Sequence, residues 1–260
     1  MSLVEIVICA MIIILIGLLF LASFKIPREK HGERKPGYER VYVWSILLRF
    51  YHWLFAFSIL ALIITGLYIG WPFTNTWNET NASFTMANMR WIHFIFGYLF
   101  TVAVIIRVYL YFFGNKYEKL WSMLPITPEQ IKVAMQTQFW YAYVSDYHPH
   151  VEGHNPAAGG GYLFTIILAI FQFITGFYLL YGEVNWAPVW VKPFWVLGDA
   201  IFQTQQFARF IHHILNWYFF IFAMIHIYMV AMNDIRNPEG LISSIFTGYK
   251  FFPVHDNDKH

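Results

Sequence analysis

Residues 209–231 read RFIHHILNWYFFIFAMIHIYMVA, an apolar run about as long as the hydrocarbon core of a bilayer is thick. Three histidines lie inside this run, and a histidine at membrane depth is costly enough to mark a functional site. His212 and His226 are fourteen residues apart, so they lie within ~40° of one helix face and ~21 Å apart along the axis. His213 lies ~140° away from His226. The pair on one face fits two metal centres stacked across a membrane, and equally fits polar contacts to neighbouring helices.

The composition indicates an integral membrane protein. Of 260 residues, 58% are hydrophobic and only 12% are charged, whereas soluble domains carry about 25% charged residues. The apolar runs have the length of helices and lack the ten-residue alternation of a membrane barrel, so we predict an all-α fold. A net charge of +2 gives no support for nucleic-acid binding.

The single cysteine, Cys9, limits the chemistry of the chain. One cysteine excludes an intramolecular disulfide, a cysteine-ligated iron–sulfur cluster and a CxxCH haem attachment. A bound metal must therefore be held by histidine or carboxylate, and Cys9, in an apolar run, is expected to be inert.

Five apolar runs predict five membrane spans. The first is read as an uncleaved signal anchor rather than a signal peptide, because its apolar part is long and Glu5, not a basic residue, precedes it. An amphipathic segment on the membrane surface is expected near the aromatic residues 139–143. The predicted spans are residues 3–23, 46–70, 91–112, 161–181 and 207–232, with polar or aromatic connections between them.

Lysine and arginine predict the orientation. Residues 24–49, 107–158 and 233–260 carry seven, four and three basic residues, whereas the connections on the opposite side carry three in all. The basic side is cytoplasmic by the positive-inside rule. Five spans in a bacterial cytoplasmic membrane then place the N-terminus in the periplasm and the C-terminus in the cytoplasm.

Depth pairs four histidines from three of the predicted spans. His93 and His212 lie towards the outside, and His52 and His226 lie towards the inside. Four histidines matched in this way favour two b-type haems over separate polar contacts, because bis-histidine ligation needs no cysteine. Each ligand would orient its other ring nitrogen through a hydrogen-bond acceptor.

Three glycines give weaker support for haem. A porphyrin packed against a helix needs a small residue where it approaches the backbone, and Gly66, Gly97 and Gly176 lie in three of the spans. Each glycine taken alone also fits ordinary helix packing.

The segment 146–162, DYHPHVEGHNPAAGGGY, precedes the fourth span on the predicted inner side. Its histidines, His148, His150 and His154, fit either a small metal site or an ordered loop. A quinone pocket with His154 and Asn155 as hydrogen-bonding groups is a further hypothesis. The remaining histidines outside the spans, His31, His255 and His260, are expected to be solvated.

From about residue 40 to 250 the chain resembles the cytochrome b subunit of membrane-bound nickel–iron uptake hydrogenases, in the group that includes the formate dehydrogenase gamma subunit. FGNKY, GHNP and FTGYK favour the hydrogenase branch. The motifs that carry the resemblance are RFYHW (49–53), RWIHFIFGY (90–98), FGNKY (113–117), GHNPAA (153–158), FITGFYLLY (173–181), HxxxxW (212–217) with HIYM (226–229), and FTGYK (246–250).

The resemblance implies a four-helix bundle holding two b haems over residues 39–250. Residues 1–38 would form an additional transmembrane helix and basic linker, and 251–260 a polar tail. The resemblance also implies that His93 and His212 ligate the haem near the partner enzyme, and His52 and His226 the haem near the cytoplasm. The family's HxxH before the last span is replaced here by adjacent histidines.

Only His212 keeps the fourteen-residue spacing, so His213 is left out of the ligands. The implied function is a membrane anchor that carries electrons from the iron–sulfur (small) subunit of a periplasmic nickel–iron hydrogenase to menaquinone or ubiquinone. The hydrogen-activating site would lie on the large subunit, so this chain is an electron-transfer subunit of an oxidoreductase complex.

Two alternatives stay open at this point. The chain could serve a formate dehydrogenase or another periplasmic oxidoreductase, with the same haems. It could instead be a transporter with structural histidines, although the fourth span, 161–181, carries no acidic, basic or histidine side chain to line a pathway.

Overall fold

The computed structural model describes residues 38–72, 79–149, 151, 153–237 and 239–253. The predicted signal anchor at 3–23, with Cys9, lies outside the described residues, as do His31, His150, His255 and His260. The fifth span and the boundaries of the domains therefore stay predictions.

The described chain is mostly helical, and four of its helices are long and apolar enough to cross a membrane. Their membrane-capable stretches are Ile46–Gly70, Phe84–Phe113, Pro156–Tyr181 and Gln205–Arg236. In chain order, the helices are α1 (Ile46–Gly70), α2 (Glu79–Phe113), α3 (Leu120–Met123), α4 (Pro128–Tyr141), α5 (Pro156–Tyr181), α6 (Lys192–Phe202), α7 (Gln205–Arg236) and α8 (Leu241–Thr247). The expectation of a multi-pass helical membrane protein is confirmed.

Two spanning helices begin at least five residues earlier than predicted. Helix α2 begins at Glu79, within the predicted loop 71–90, because polar residues outside the bilayer can continue a helix. Helix α5 begins at Pro156 rather than at 161. Its first turn is stabilised by proline, which suits that position, and by Asn155, whose Oδ1 accepts the Ala157 N–H at 2.9 Å.

The connections contain short helices where the sequence indicated polar or aromatic segments. Helices α3 and α4 lie between α2 and α5, and α4 begins with a capping box between Thr127 and Gln130. A 3₁₀ turn, Val184–Trp186, and helix α6 connect α5 to α7.

The mostly helical chain agrees with the predicted all-α fold, to which it adds a two-stranded ribbon that was not predicted. Strand β1 (Tyr38–Tyr42) pairs antiparallel with β2 (Tyr249–Pro253), with Tyr42 opposite Tyr249. The guanidinium of Arg40 lies 3.8 Å from the centre of the Tyr249 ring. The ribbon includes residues 251–253 of the predicted polar tail, and hydropathy could not reveal it because it depends on pairing between distant segments.

The chain divides into two compact units. The terminal unit comprises the described residues up to Phe50, Tyr109–Tyr162 and the described residues from Ala223 onwards. The central unit comprises Tyr51–Val108 and Leu163–Phe222. Each long helix contributes to both units, which are described separately below.

A buried carboxylate organises part of the terminal unit. Glu118 is fully buried and accepts hydrogen bonds from the backbone N–H groups of Ser45, at 2.8 Å, and Asn115, at 3.1 Å. The amide of Asn115 also donates to the Val43 carbonyl at 2.9 Å. A Cβ at Gly114 would lie 2.5 Å from the Leu110 carbonyl oxygen, so only glycine fits there. The FGNKY motif is therefore part of the framework that holds the start of α1.

Candidate haem-binding site

A cavity of about 650 Å³ opens in the central unit among residues of α1, α2, α5 and α7. His93 of α2 and His212 of α7 both line it. The centres of the two imidazole rings are 6.3 Å apart, with 65° between the ring planes. The two histidines that the sequence analysis paired by depth thus lie close together in space.

A threonine on the neighbouring helix orients His93. The hydroxyl of Thr65 donates to the Ala61 carbonyl at 2.7 Å and lies 2.8 Å from His93 Nδ1. Because the hydroxyl proton is already used, Thr65 Oγ1 accepts from the Nδ1–H. The Nε2 of His93 therefore carries the lone pair.

His212 is held in the same way from α5. Thr175 donates to the Gln172 carbonyl at 2.9 Å, and its Oγ1 lies 2.8 Å from His212 Nδ1. The Nε2 of His212 again carries the lone pair, and the side-chain amide of Gln172 lies 3.3 Å from it. An iron at His212 Nε2 would take the place of this amide contact.

The three candidate glycines have two different roles in the geometry. A Cβ at Gly66 would lie 3.4 Å from His93 Cε1, and one at Gly176 would lie 3.5 Å from His212 Cε1. These two glycines pack against the imidazole rings, although a Cβ at either position would make only an ordinary van der Waals contact. A Cβ at Gly97 would meet no atom within 4 Å, so this part of the cavity wall is open.

The sequence analysis missed the two threonines, although a signal was present. Thr65 and Thr175 lie in ITGLY (64–68) and ITGFY (174–178), a short repeat in α1 and α5. Each copy supplies a threonine that accepts from one imidazole and a glycine that packs against the same ring. The sequence predicts an acceptor for each histidine but does not show which residue it is.

His213 also lines the cavity, but its geometry differs. Trp217 Nε1, one turn further along α7, donates to His213 Nε2 at 3.2 Å. This nitrogen is thus bonded within its own helix, which agrees with leaving His213 out of the ligands.

The residues of the cavity fit a haem iron. Two imidazoles bound to one metal through bonds of ~2 Å have ring centres ~6 Å apart, as His93 and His212 do. Both Nδ1 atoms are engaged by threonines, which places each lone pair on Nε2, and the volume is within the range of cofactor sites.

The second pair of candidate ligands is divided between the two units, and its pairing stays a prediction. In the central unit, His52 packs edge-on against Trp53, and the buried Arg107 lies 5.8 Å from the ring centre of Tyr51, the neighbour of His52. In the terminal unit, Tyr162 Oη lies 3.4 Å from His226 Nδ1.

In the terminal unit, the proposed quinone residue His154 packs between two aromatic rings. The His154 ring lies 4.5 Å from Trp44 and 5.3 Å from Tyr162. His148 packs edge-on against Trp140 at 4.3 Å. Among the described residues, which do not include His150, no three histidine, cysteine or acidic side chains converge on a metal position.

Asn155 has a structural role. Its amide donates to Thr137 Oγ1 at 2.7 Å, and its Oδ1 caps α5. Nearby, burial raises the pKa of Tyr141 to about 12, so this phenol stays protonated at physiological pH. The role of His154 and Asn155 at a quinone stays a prediction.

The fold is that of a multi-pass membrane protein, and His93 and His212 lie close together at one cavity within it. The sequence model of the prokaryotic cytochrome b561 family matches residues 43–248, and the chain belongs to this family. It is therefore a membrane cytochrome of the b type.

Three relatives show how far the similarity extends. A protein of Rhizobium leguminosarum bv. viciae is 33% identical over 86% of this chain and 94% of its own length. A protein of Bradyrhizobium diazoefficiens is 32% identical over 87% of this chain and 92% of its own length. Both are named "Probable Ni/Fe-hydrogenase B-type cytochrome subunit". A protein of Escherichia coli K12, named "Probable Ni/Fe-hydrogenase 1 B-type cytochrome subunit", is 30% identical over 80% of this chain and 90% of its own length.

Proposed function

We propose that this chain is the membrane-anchoring, di-haem cytochrome b subunit of a respiratory nickel–iron hydrogenase. It would pass electrons from the periplasmic iron–sulfur subunit to the quinone pool. The observation that carries the proposal is the pair His93 and His212, each held through Nδ1 by a threonine across one cavity. The names of the relatives support the hydrogenase partner.

The haem, when bound, supplies reversible one-electron transfer. His93 and His212 would hold its iron through Nε2. Thr65 and Thr175 keep the proton on each Nδ1 and fix the ring orientation, which increases the basicity of the ligands. The chain's single cysteine cannot hold iron–sulfur clusters, so hydrogen activation belongs to the partner subunits.

A second haem would be held by His52 and His226. The support is that α7 is one continuous helix, Gln205–Arg236, so that His212 and His226 lie ~21 Å apart along it on nearly one face. Tyr162, beside His226 Nδ1, is suited to orient that ring. Both ligands of this site lie on helices that also carry parts of the first site.

The direction of transfer follows from the proposed orientation in the cytoplasmic membrane. The first haem would lie near the periplasm and the second near the basic, cytoplasmic side. An electron moving inwards crosses the membrane field, which amounts to ~2.3 kcal/mol per 100 mV. The acceptor would be menaquinone or ubiquinone, bound near His154 at the start of α5.

The test is a haem count in purified protein. We expect two b haems per chain from a pyridine haemochrome assay with a reduced-minus-oxidised spectrum. His93→Ala or His212→Ala should remove one haem, and His52→Ala or His226→Ala the other, whereas His213→Ala should retain both. Folded wild-type protein without haem would contradict the whole proposal.

The partner is tested separately by metal analysis of the complex that co-purifies from native membranes. Nickel in stoichiometric amount is the expected result. Molybdenum instead of nickel would assign the chain to a formate dehydrogenase or a related oxidoreductase, with the haem sites unchanged.

A further inference from the structure

Two arginines line the same cavity as His93 and His212. Arg90 lies three residues before His93 on α2, and Arg209 lies three residues before His212 on α7. Side chains three residues apart share a helix face. The sequences RWIH (90–93) and RFIH (209–212) thus place one guanidinium a turn away from each candidate ligand.

The charge of these arginines is not balanced within the cavity. Among the described residues that line it, none is an aspartate or glutamate, and much of the lining is apolar. Among the side chains that the structure describes, neither Arg90 nor Arg209 forms an ion pair with a carboxylate. Two positive charges beside an apolar cavity are suited to an anionic ligand.

We propose that Arg90 and Arg209 form a carboxylate-binding subsite for the two propionates of the haem held by His93 and His212. This inference rests on the proposed function. The guanidinium group matches a carboxylate with two parallel hydrogen bonds, and two arginines balance two propionates. The subsite would hold the haem in one orientation, with its propionates towards the beginnings of α2 and α7.

Arginines near a membrane surface also bind lipid phosphates, which are the second possible source of the anion. Both arginines are exposed, but each also lines the cavity one turn from a candidate ligand, which favours the propionates. The two sources differ in one measurable respect. The reduced haem has one positive charge fewer than the oxidised haem, so a guanidinium beside the propionates stabilises it and raises the midpoint potential. A guanidinium bound to a lipid phosphate has little effect on the midpoint potential.

The first experiment is a redox titration of the purified, haem-loaded protein. Arg90→Gln, Arg209→Gln and the double variant should each lower the midpoint potential of one haem and leave the other unchanged. Arg90→Lys and Arg209→Lys should retain most of the original potential. Lys192→Gln, which removes a positive charge from α6 outside the cavity, should change neither potential.

The second experiment compares haem b with its dimethyl ester in reconstitution of the haem-depleted full chain. The wild type should bind the free acid about tenfold more tightly or better at this site. The double glutamine variant should bind both forms equally. If that variant fails to fold, the double lysine variant, which keeps the charge, should still prefer the free acid.

Unchanged potentials in the double glutamine variant, with equal binding of acid and ester by the wild type, would overturn the subsite and assign the arginines to lipid phosphates. That result would leave the haem count of the wild type intact. A wild type without haem would instead remove the proposed function, and the subsite with it.

Discussion

At the scale of single residues, the site depends on two threonine–glycine pairs. Each threonine hydroxyl donates to a carbonyl of its own helix, so its oxygen can only accept from the imidazole. Each following glycine packs against the same ring. Thr65 with Gly66 and Thr175 with Gly176 thus fix both the tautomer and the position of a histidine.

The threonines give the first prediction. Thr65→Val and Thr175→Val keep the shape but remove the acceptor, so haem affinity at one site should fall about 10- to 100-fold. Thr65→Ser should retain the affinity. Titration of haem-depleted protein followed by visible absorbance measures the change.

Ser58→Ala is the matched control on α1. Ser58 is fully buried, and its hydroxyl has no hydrogen-bond partner among the described residues. Its loss should not change haem affinity. If Thr65→Val behaved like Ser58→Ala, the orienting role of Thr65 would be wrong.

Gly97 gives a second prediction at this scale. It lines the cavity and has open space around its missing Cβ. Gly97→Leu should fill that space and reduce the haem count from two to one. Gly161→Leu introduces the same side chain on α5, also into open space but outside the cavity lining, and should retain both haems. Two haems in Gly97→Leu would show that the haem does not occupy this part of the cavity.

At the scale of helices, hydropathy predicted the spans but not their ends. The apolar stretch indicates which residues lie within the membrane. The first residue of the helix depends instead on local contacts, such as the Asn155 cap of α5. The β ribbon was missed for the same reason, because β1 and β2 are far apart in the sequence. The end of a helix was predictable only where it coincides with the edge of the apolar stretch.

A fourteen-residue spacing recurs on all four spanning helices. On α7 it separates His212 from His226, as the sequence already indicated, and it is also present on α1, α2 and α5. The pairs are His52 and Gly66, His93 and Arg107, Tyr162 and Gly176, and His212 and His226. This pattern could have marked Arg107 and Tyr162 as further candidate site residues. Arg107 lies fourteen residues after His93, and Tyr162 lies fourteen residues before Gly176, and both His93 and Gly176 line the cavity. The threonines could not be assigned to particular histidines, because that requires knowing which helices are neighbours.

The Glu118 contact gives a prediction at the scale of helices. Glu118→Ala leaves the part-buried N–H groups of Ser45 and Asn115 without their acceptor, so the free energy of unfolding should fall by about 2 kcal/mol. Thermal unfolding in detergent, followed by circular dichroism, measures this change. Glu129→Ala, at an exposed acidic residue of α4, should change stability by less than about 0.5 kcal/mol. Equal effects of the two variants would contradict the role of Glu118 in holding the start of α1.

At the scale of the whole molecule, the ribbon supports the predicted number of crossings in the described chain. Strands β1 and β2 are hydrogen-bonded to each other, so they must lie on the same side of a membrane. The chain between them therefore crosses an even number of times, in agreement with four spans. This pairing does not define which side that is, and the distribution of lysine and arginine is the basis for placing it in the cytoplasm.

Orientation decides whether electrons move inwards, and the chain allows a direct test because it has a single cysteine. In a Cys9→Ser background, Val189→Cys and Val144→Cys each introduce one thiol at a position that is 82% and 72% exposed, respectively. In intact cells an impermeant maleimide should label position 189, which follows α5, and spare position 144, which follows α4. A permeant maleimide should label both and shows that each thiol is reactive. The opposite pattern would place the His93 and His212 end in the cytoplasm, where a periplasmic hydrogenase could not deliver electrons to it.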